Sequence, residues 1–189
     1  MFNPFQEHYF EMSPTEFEER SLQILKQQFV GLEKLEFKHD ERIKTDDGNY
    51  QIDGVVRFEA MGVRFTVLVE CKHYKSPISR EKIQVLYDKI RAVGAHKGIF
   101  ISTSSFQSGA IEYAGKHGIA LIQITEADTR FEMRNQFNVI QAHPFEYNDG
   151  LPYIGIMLSQ QSQSGGISCS HLRRDNKRLQ DFMLNADRS

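Results

Sequence analysis

The run Gln51-Ile52-Asp53-Gly54-Val55-Val56-Arg57-Phe58-Glu59-Ala60-Met61-Gly62-Val63-Arg64-Phe65-Thr66-Val67-Leu68-Val69-Glu70-Cys71-Lys72 reads as two strands joined by a tight turn. Successive side chains of a strand point to opposite sides, so alternation marks a strand with one buried face. Ile52, Val56 and Phe58 alternate with polar neighbours, and so do Val63, Phe65, Val67, Val69 and Cys71. They make one apolar face. The other carries Asp53, Arg57, Glu59, Arg64, Thr66, Glu70 and Lys72, with Val55 and Leu68 as apolar exceptions. Two turns fit. A turn at Ala60-Met61 sets Asp53 opposite Leu68, whereas one at Met61-Gly62 sets it opposite Glu70. Either register puts Asp53 on the face of Glu70 and Lys72, within the roughly 5 to 8 Å that separates cross-strand and diagonal neighbours.

Upstream, Ser13-Pro14-Thr15-Glu16 is a helix start: Ser13 caps, Pro14 suits the first helical position, and Glu16 closes a capping box. The helix is expected to run to about Val30, with Gly31 ending it. Glu18, Leu22, Leu25 and Phe29 fall on one face, which aims Glu18 toward the sheet. A further strand is expected near Leu35 to Ile43. The hairpin strands themselves are expected over Tyr50 to Phe58 and Val63 to Tyr74. Downstream, Ser79 opens a helix with the stripe Ile83, Leu86, Tyr87, Ile90 and Val93, stopped by Gly94. Gly98 to Thr103 is a buried type of strand, Ser105 to His117 a helix, and Ile119 to Ile124 another strand. The order is that of an α/β domain in which an antiparallel hairpin leads into crossover units. Beyond Thr125 the pattern weakens. Leu151 to Gln160 is an expected strand, Gln160 to Gly166 a loop by composition, and His171 to Arg178 a basic segment before a short helix.

The bulk numbers restrict the class without choosing the partner. The 189 residues are 40% apolar and 25% charged, a globular mix that suits one domain with an appendage. The net charge of −2 is unlike a structural coater of nucleic acid, but leaves room for an enzyme with a local basic surface and acidic ligands. Cys71 and Cys169 form no zinc pattern and no disulfide framework. No apolar run reaches the length of a membrane span, and Met1 to Phe10 lacks the apolar centre of a signal peptide. A cytoplasmic protein is expected.

Two carboxylates and an ammonium on one face are what phosphodiester hydrolysis requires. Paired carboxylates hold Mg²⁺, which prefers oxygen ligands and keeps several waters. The ion polarises the phosphoryl oxygen and acidifies a bound water, and a lysine beside it orients that water and offsets transition-state charge. The Cys71 carbonyl is an additional ligand for the ion, while its thiol is expected on the apolar face. The competing reading is a solvated hairpin face bearing an ordinary Glu/Lys pair, since these residues are common on strand surfaces.

The chain resembles the Mrr-like restriction endonuclease catalytic domain, within the PD-(D/E)xK nuclease superfamily. The resemblance is carried by Ser13 to Glu18, Ile52-Asp53-Gly54-Val55, Val69-Glu70-Cys71-Lys72-His73-Tyr74, Lys97 to Phe106, Ala110, and Gly118-Ile119-Ala120-Leu121-Ile122. It implies a restriction-endonuclease-like αβββαβ core over residues 12–125, a mixed central sheet flanked by helices, with residues 126–189 as a C-terminal extension. It implies Mg²⁺-dependent cleavage of DNA, with Mn²⁺ as a substitute. Asp53 and Glu70 become metal ligands, Lys72 the catalytic lysine and Glu18 an auxiliary acid. Gln84 takes a second-helix position that is often polar near the site; it reads equally as a flank residue. Ile52 stands where the superfamily's motif has proline.

Outlying residues carry two readings each. His73, Tyr74 and Lys75 contact phosphate or end the strand. Ser104 precedes a helix whose free N–H groups can take a phosphate, or is part of an ordinary cap. Arg173 and Arg174, with His171, Lys177 and Arg178, track a DNA backbone or form a solvated face. The expected partner is double-stranded DNA, and a homodimer would supply two active sites for two strands. The functions in competition are a restriction endonuclease, a repair or junction-resolving nuclease on the same chemistry, and a DNA-binding module without catalysis.

Overall fold

The hairpin turns at Met61-Gly62. Both residues have positive φ, 51° and 76°, the conformation of a two-residue turn whose twist matches that of its strands. Ala60 pairs with Val63 and the register runs on to Gly54 opposite Val69. Of the two registers compatible with the sequence, this is the one that brings Asp53 level with Glu70.

A computed structural model describes residues 12–29, 31–126, 132–135, 138–141, 153–160, 166–173 and 177–184. The elements are α1 (Pro14–Gln28), β1 (Glu33–Lys44), β2 (Asn49–Ala60), β3 (Val63–Lys72), α2 (Arg80–Val93), β4 (Lys97–Ser102), α3 (Ser108–Lys116), β5 (Ile119–Glu126), β6 (Glu132–Asn135), β7 (Asn138–Gln141), β8 (Tyr153–Gln160), β9 (Ile167–His171) and α4 (Arg178–Leu184). Strands β1, β2 and β3 are antiparallel neighbours, and β3, β4 and β5 are parallel. Strands β8 and β9 add two antiparallel members, giving a seven-stranded mixed sheet in the order β1-β2-β3-β4-β5-β8-β9. Strands β6 and β7 pair separately. This is an α/β fold with the αβββαβ core order expected from the sequence.

The sheet is covered on both sides. On one, Phe17, Leu22, Leu25 and Phe29 from the first helical segment, with Leu179 and Met183 of α4, pack on Val67, Val69, Cys71, Ile99, Ile101 and Ile122. On the other, Ile83, Leu86 and Ile90 of α2 and Ala110, Ile111 and Ala114 of α3 pack on Val55, Leu68, Phe100 and Leu121. The local starts and stops follow the residues. Ser13 and Glu16 form the reciprocal capping box. Gly94 ends α2 in the left-handed conformation, φ 69°. Gly54 lets α1 sit close: a Cβ there would lie 2.6 Å from Leu22 Cδ2 and 3.2 Å from Val69 Cβ.

Two expectations change. α3 begins three residues later than Ser105, because Phe106 bridges Ile78 and the Gln107 N–H donates to the Ile78 carbonyl. Ile52, read as a companion of Val56 and Phe58, packs with the α2 side instead. At Ile52, β2 is paired with β1, at Glu41, and no longer with β3. Two later strands extend the main sheet, β8 where Leu151 to Gln160 is the expected strand and β9 after a stretch that reads as loop, and α4 docks on α1, with Gln180 Nε2 donating to the Gln28 carbonyl at 2.6 Å. Met1 to Phe10 and Val30 lie outside the described residues.

Candidate active site

Where the ladder between β2 and β3 stops, side chains take its place. The Cys71 N–H, one residue beyond Glu70, donates to Asp53 Oδ2 at 2.7 Å. The same oxygen lies 3.3 Å from Lys72 Nζ. Lys72 Nζ reaches Glu70 Oε1 at 2.5 Å, and Glu70 Oε2 receives Lys89 Nζ of α2 at 2.8 Å. Lys89 also donates to the Gln51 carbonyl at 3.3 Å. The result is a chain of alternating charge, Lys89–Glu70–Lys72–Asp53, spanning β2, β3 and α2.

This face is not a solvated one. Glu70 is 5% exposed, and its neighbour Leu68 on the same face is fully buried under α2. A buried carboxylate is costly unless ammonium or N–H groups replace its water. Two lysines do that for Glu70. Burial works against the Lys72 ammonium, but Glu70 and then Asp53 outweigh it and hold its pKa above the ordinary lysine value. Lys72 is therefore a firm cation at neutral pH. Cys71 points to the α1 side, as expected. Burial first, then the charge of Asp53, pushes its thiol well above the ordinary range. The thiol is no nucleophile.

The donor set suits a hard cation: two carboxylates at one strand end, and the Cys71 carbonyl between Glu70 and Lys72 in sequence. Among the described residues no group of three or more His, Cys, Asp or Glu side chains is placed to hold a metal. Mg²⁺ fits such a sparse set, because it is commonly bound by one or two carboxylates and keeps its waters.

The model of a restriction endonuclease family, Mrr_cat, matches residues 10–128. The chain belongs to that family. It is similar to the type IV methyl-directed restriction enzyme EcoKMrr of Escherichia coli (strain K12), 30% identical over 109 residues, which are 57% of this chain and 34% of that protein. The chain thus spans about a third of its relative. Solved structures that match include the DNA modification-dependent restriction endonuclease AspBHI (18% identity, TM-score 0.41, 56% of this chain and 27% of that one) and MspJI restriction endonuclease in complex with a 27-mer oligonucleotide (17%, 0.44, 60% and 26%).

The Mrr-type match spans Asp53, Glu70, Lys72 and Lys89, and the structure brings these four together. Glu18 keeps different company. Its Oε2 pairs with His39 Nε2 of β1 at 2.8 Å. The stripe of α1 lies on the Cys71 side of the sheet, so Glu18, at its margin, meets β1 first. Gln84 is exposed on α2. The α2 residue that reaches the cluster is Lys89, which sequence reasoning passed over. Its only signal is position: three residues after Leu86 and next to Ile90, it flanks the buried stripe.

The loop after β3 is tied to the end of β4. Thr103 Oγ1 donates to the Tyr74 carbonyl at 2.9 Å, and the Thr103 N–H to the Lys72 carbonyl at 3.4 Å. Ser104 is buried, its N–H on Ser102 Oγ at 2.9 Å. His73 tilts against Phe17, centroids 5.5 Å apart, and Lys75 is exposed. Arg173 follows β9, the edge strand remote from β3; Arg174 lies outside the described residues. Among the described residues no helix is long and apolar enough to cross a membrane.

Proposed function

We propose that the chain is a metal-dependent DNA endonuclease that hydrolyses phosphodiester bonds in the restriction of foreign or modified DNA. The observation that carries this is Glu70: a buried carboxylate at a strand end, bracketed by ammonium groups, with Asp53 level beside it. Membership of a restriction endonuclease family supports the same reading.

Asp53, Glu70 and the Cys71 carbonyl would hold Mg²⁺, or Mn²⁺ in its place. Bound there, the ion supplies a polarised phosphoryl oxygen and a water of lowered pKa. Glu70 and Asp53 favour the charged form of Lys72, which suits a donor and counter-charge. Its Nζ orients the water and meets the negative charge that develops on the phosphoryl oxygens. The Asp53 bond to the Cys71 N–H fixes the aspartate against β3, which limits reorganisation during the reaction. His73, Tyr74 and Lys75 follow directly in the chain and are assigned to phosphate contacts, with Ser104 beside them; Arg173 is a more distant contact. Glu18 acts as an auxiliary acid only if His39 releases it.

The test is cleavage. The protein should nick or cut DNA with Mg²⁺ or Mn²⁺ and stop with EDTA. Asp53→Ala and Lys72→Ala should each lower the rate on the order of a thousandfold, with DNA binding largely kept. Undiminished cutting by both would sink the assignment. The E. coli relative is methyl-directed by name, so methylated duplex is compared first, against unmodified duplex and four-way junctions. Binding without cutting on every substrate and metal would favour a non-catalytic module.

A further inference from the structure

Lys89 is the residue that the catalytic scheme leaves over. It is not adjacent in sequence to Asp53, Glu70 or Lys72, yet its ammonium takes one whole oxygen of the buried Glu70. Its side chain is only 18% exposed, so the pair is shielded from solvent. The second bond, to the Gln51 carbonyl, falls two residues before Asp53. That is where β2 has lost its ladder to β3, whose last paired position is Gly54. One ammonium from α2 therefore holds the Asp53-bearing end of β2 and the Glu70 carboxylate together.

The charges make a consequence. Lys89, Glu70, Lys72 and Asp53 sum to neutrality, so in this state the two carboxylates already have their counter-ions. A divalent cation taking Glu70 Oε2 competes with Lys89 for it, and like charge repels the newcomer while the ammonium stays close. Lys72 cannot be relieved of this duty without losing its part in hydrolysis. Lys89 can, because it reaches the site from another element and touches only the far oxygen of Glu70.

We infer that Lys89 is a built-in counter-ion that occupies the cation site at Glu70 and sets how strongly a divalent ion is bound there. It is a positioning residue: it acts through Glu70 and keeps the buried carboxylate paired until an ion replaces it. The inference rests on the proposed role of Asp53 and Glu70 as metal ligands.

The experiment is calorimetric titration of Mn²⁺ into the whole chain without DNA, for the wild type, Lys89→Gln, Lys89→Arg and Asp53→Asn. Glutamine keeps a donor for the Gln51 carbonyl and removes the charge. Release of one charged hydrogen bond should tighten Mn²⁺ binding about tenfold in Lys89→Gln. Lys89→Arg, with its charge kept, should bind like the wild type, and Asp53→Asn should bind far more weakly. A merely structural lysine would give weaker binding or no change on removal, so that result, with Asp53→Asn still impaired, overturns the inference. If Asp53→Asn binds as well as the wild type, the metal site is misassigned and the inference falls with it. Should the glutamine variant fail to fold, Lys89→Met keeps the packing of the stem and carries the same expectation.

Discussion

The two faces of β3 bury the same strand and treat charge in opposite ways. On the α1 side, Val67, Val69 and Cys71 continue an apolar row to the strand's end. On the α2 side, Leu68 begins the same way, then Glu70 and Lys72 follow, and Glu70 is hardly more exposed than the valines. Depth therefore does not separate them. The covering helices do. The first presents Phe17, Leu22 and Leu25 over its face, whereas α2 follows Ile83 and Leu86 with Lys89. A buried carboxylate is tolerable where cations replace its water, here Lys72 of its own strand and Lys89 of the facing helix. Chemistry sits on the face whose second layer can answer its charge.

The largest expected effect follows from removing charge on the polar face, the activity loss of Lys72→Ala and Asp53→Ala described above. The next tests whether that face is truly core. Leu68→Ala should cost about 2–5 kcal/mol in denaturant unfolding, as for any buried leucine. A cost below about 0.5 kcal/mol, the scale of surface substitutions, would show that α2 does not seal the site.

The contrast was only half legible in the sequence. Period-two alternation gave the shared face of Asp53, Glu70 and Lys72, because parity survives either turn register. It could not choose the register; Met61 and Gly62 at positive φ do that. Nor could it show that the charged face is buried, though Val55 and Leu68 on that face were the trace. Lys89 was hidden because an amphipathic helix has flanks, and a flanking lysine looks solvated until the sheet beneath it is known. Glu18 shows the converse. Its spacing aims it at the sheet, but the helix's roll and the reach of His39 decide what it touches. The fold to β5 was readable from stripes and caps. β9 was not, since Ile167-Ser168-Cys169-Ser170-His171 has too little apolar alternation and owes its place to pairing with β8.

On the apolar face, Cys71→Ala should leave cleavage unchanged and lower stability by about 1 kcal/mol, a small cavity in a packed layer. Its thiol should resist alkylation in the native protein and react once the chain unfolds, because burial holds it protonated. Loss of cleavage in Cys71→Ala would mean that the two faces are chemically coupled through the strand.

The smallest effect isolates what the polar face gains from its own pairing. Burial opposes the Lys72 ammonium and the two carboxylates more than reverse it, so its pKa is higher folded than unfolded. A group of this kind contributes stability that is fully present below its unfolded pKa, about 10.4 for lysine. The contribution is lost as pH rises through the folded value. Other lysines and the tyrosines titrate in the same range, so the useful quantity is a difference. Urea midpoints of the wild type and Lys72→Met, followed from pH 8 upward, should differ by a constant amount at first, and the wild type's relative standing should fall above about pH 10.4. A difference that stays flat through that range would mean Glu70 and Asp53 do not hold the proton on Lys72. The ion pairs would then add no net proton affinity at Lys72, and the polar face would gain nothing in stability from its own pairing.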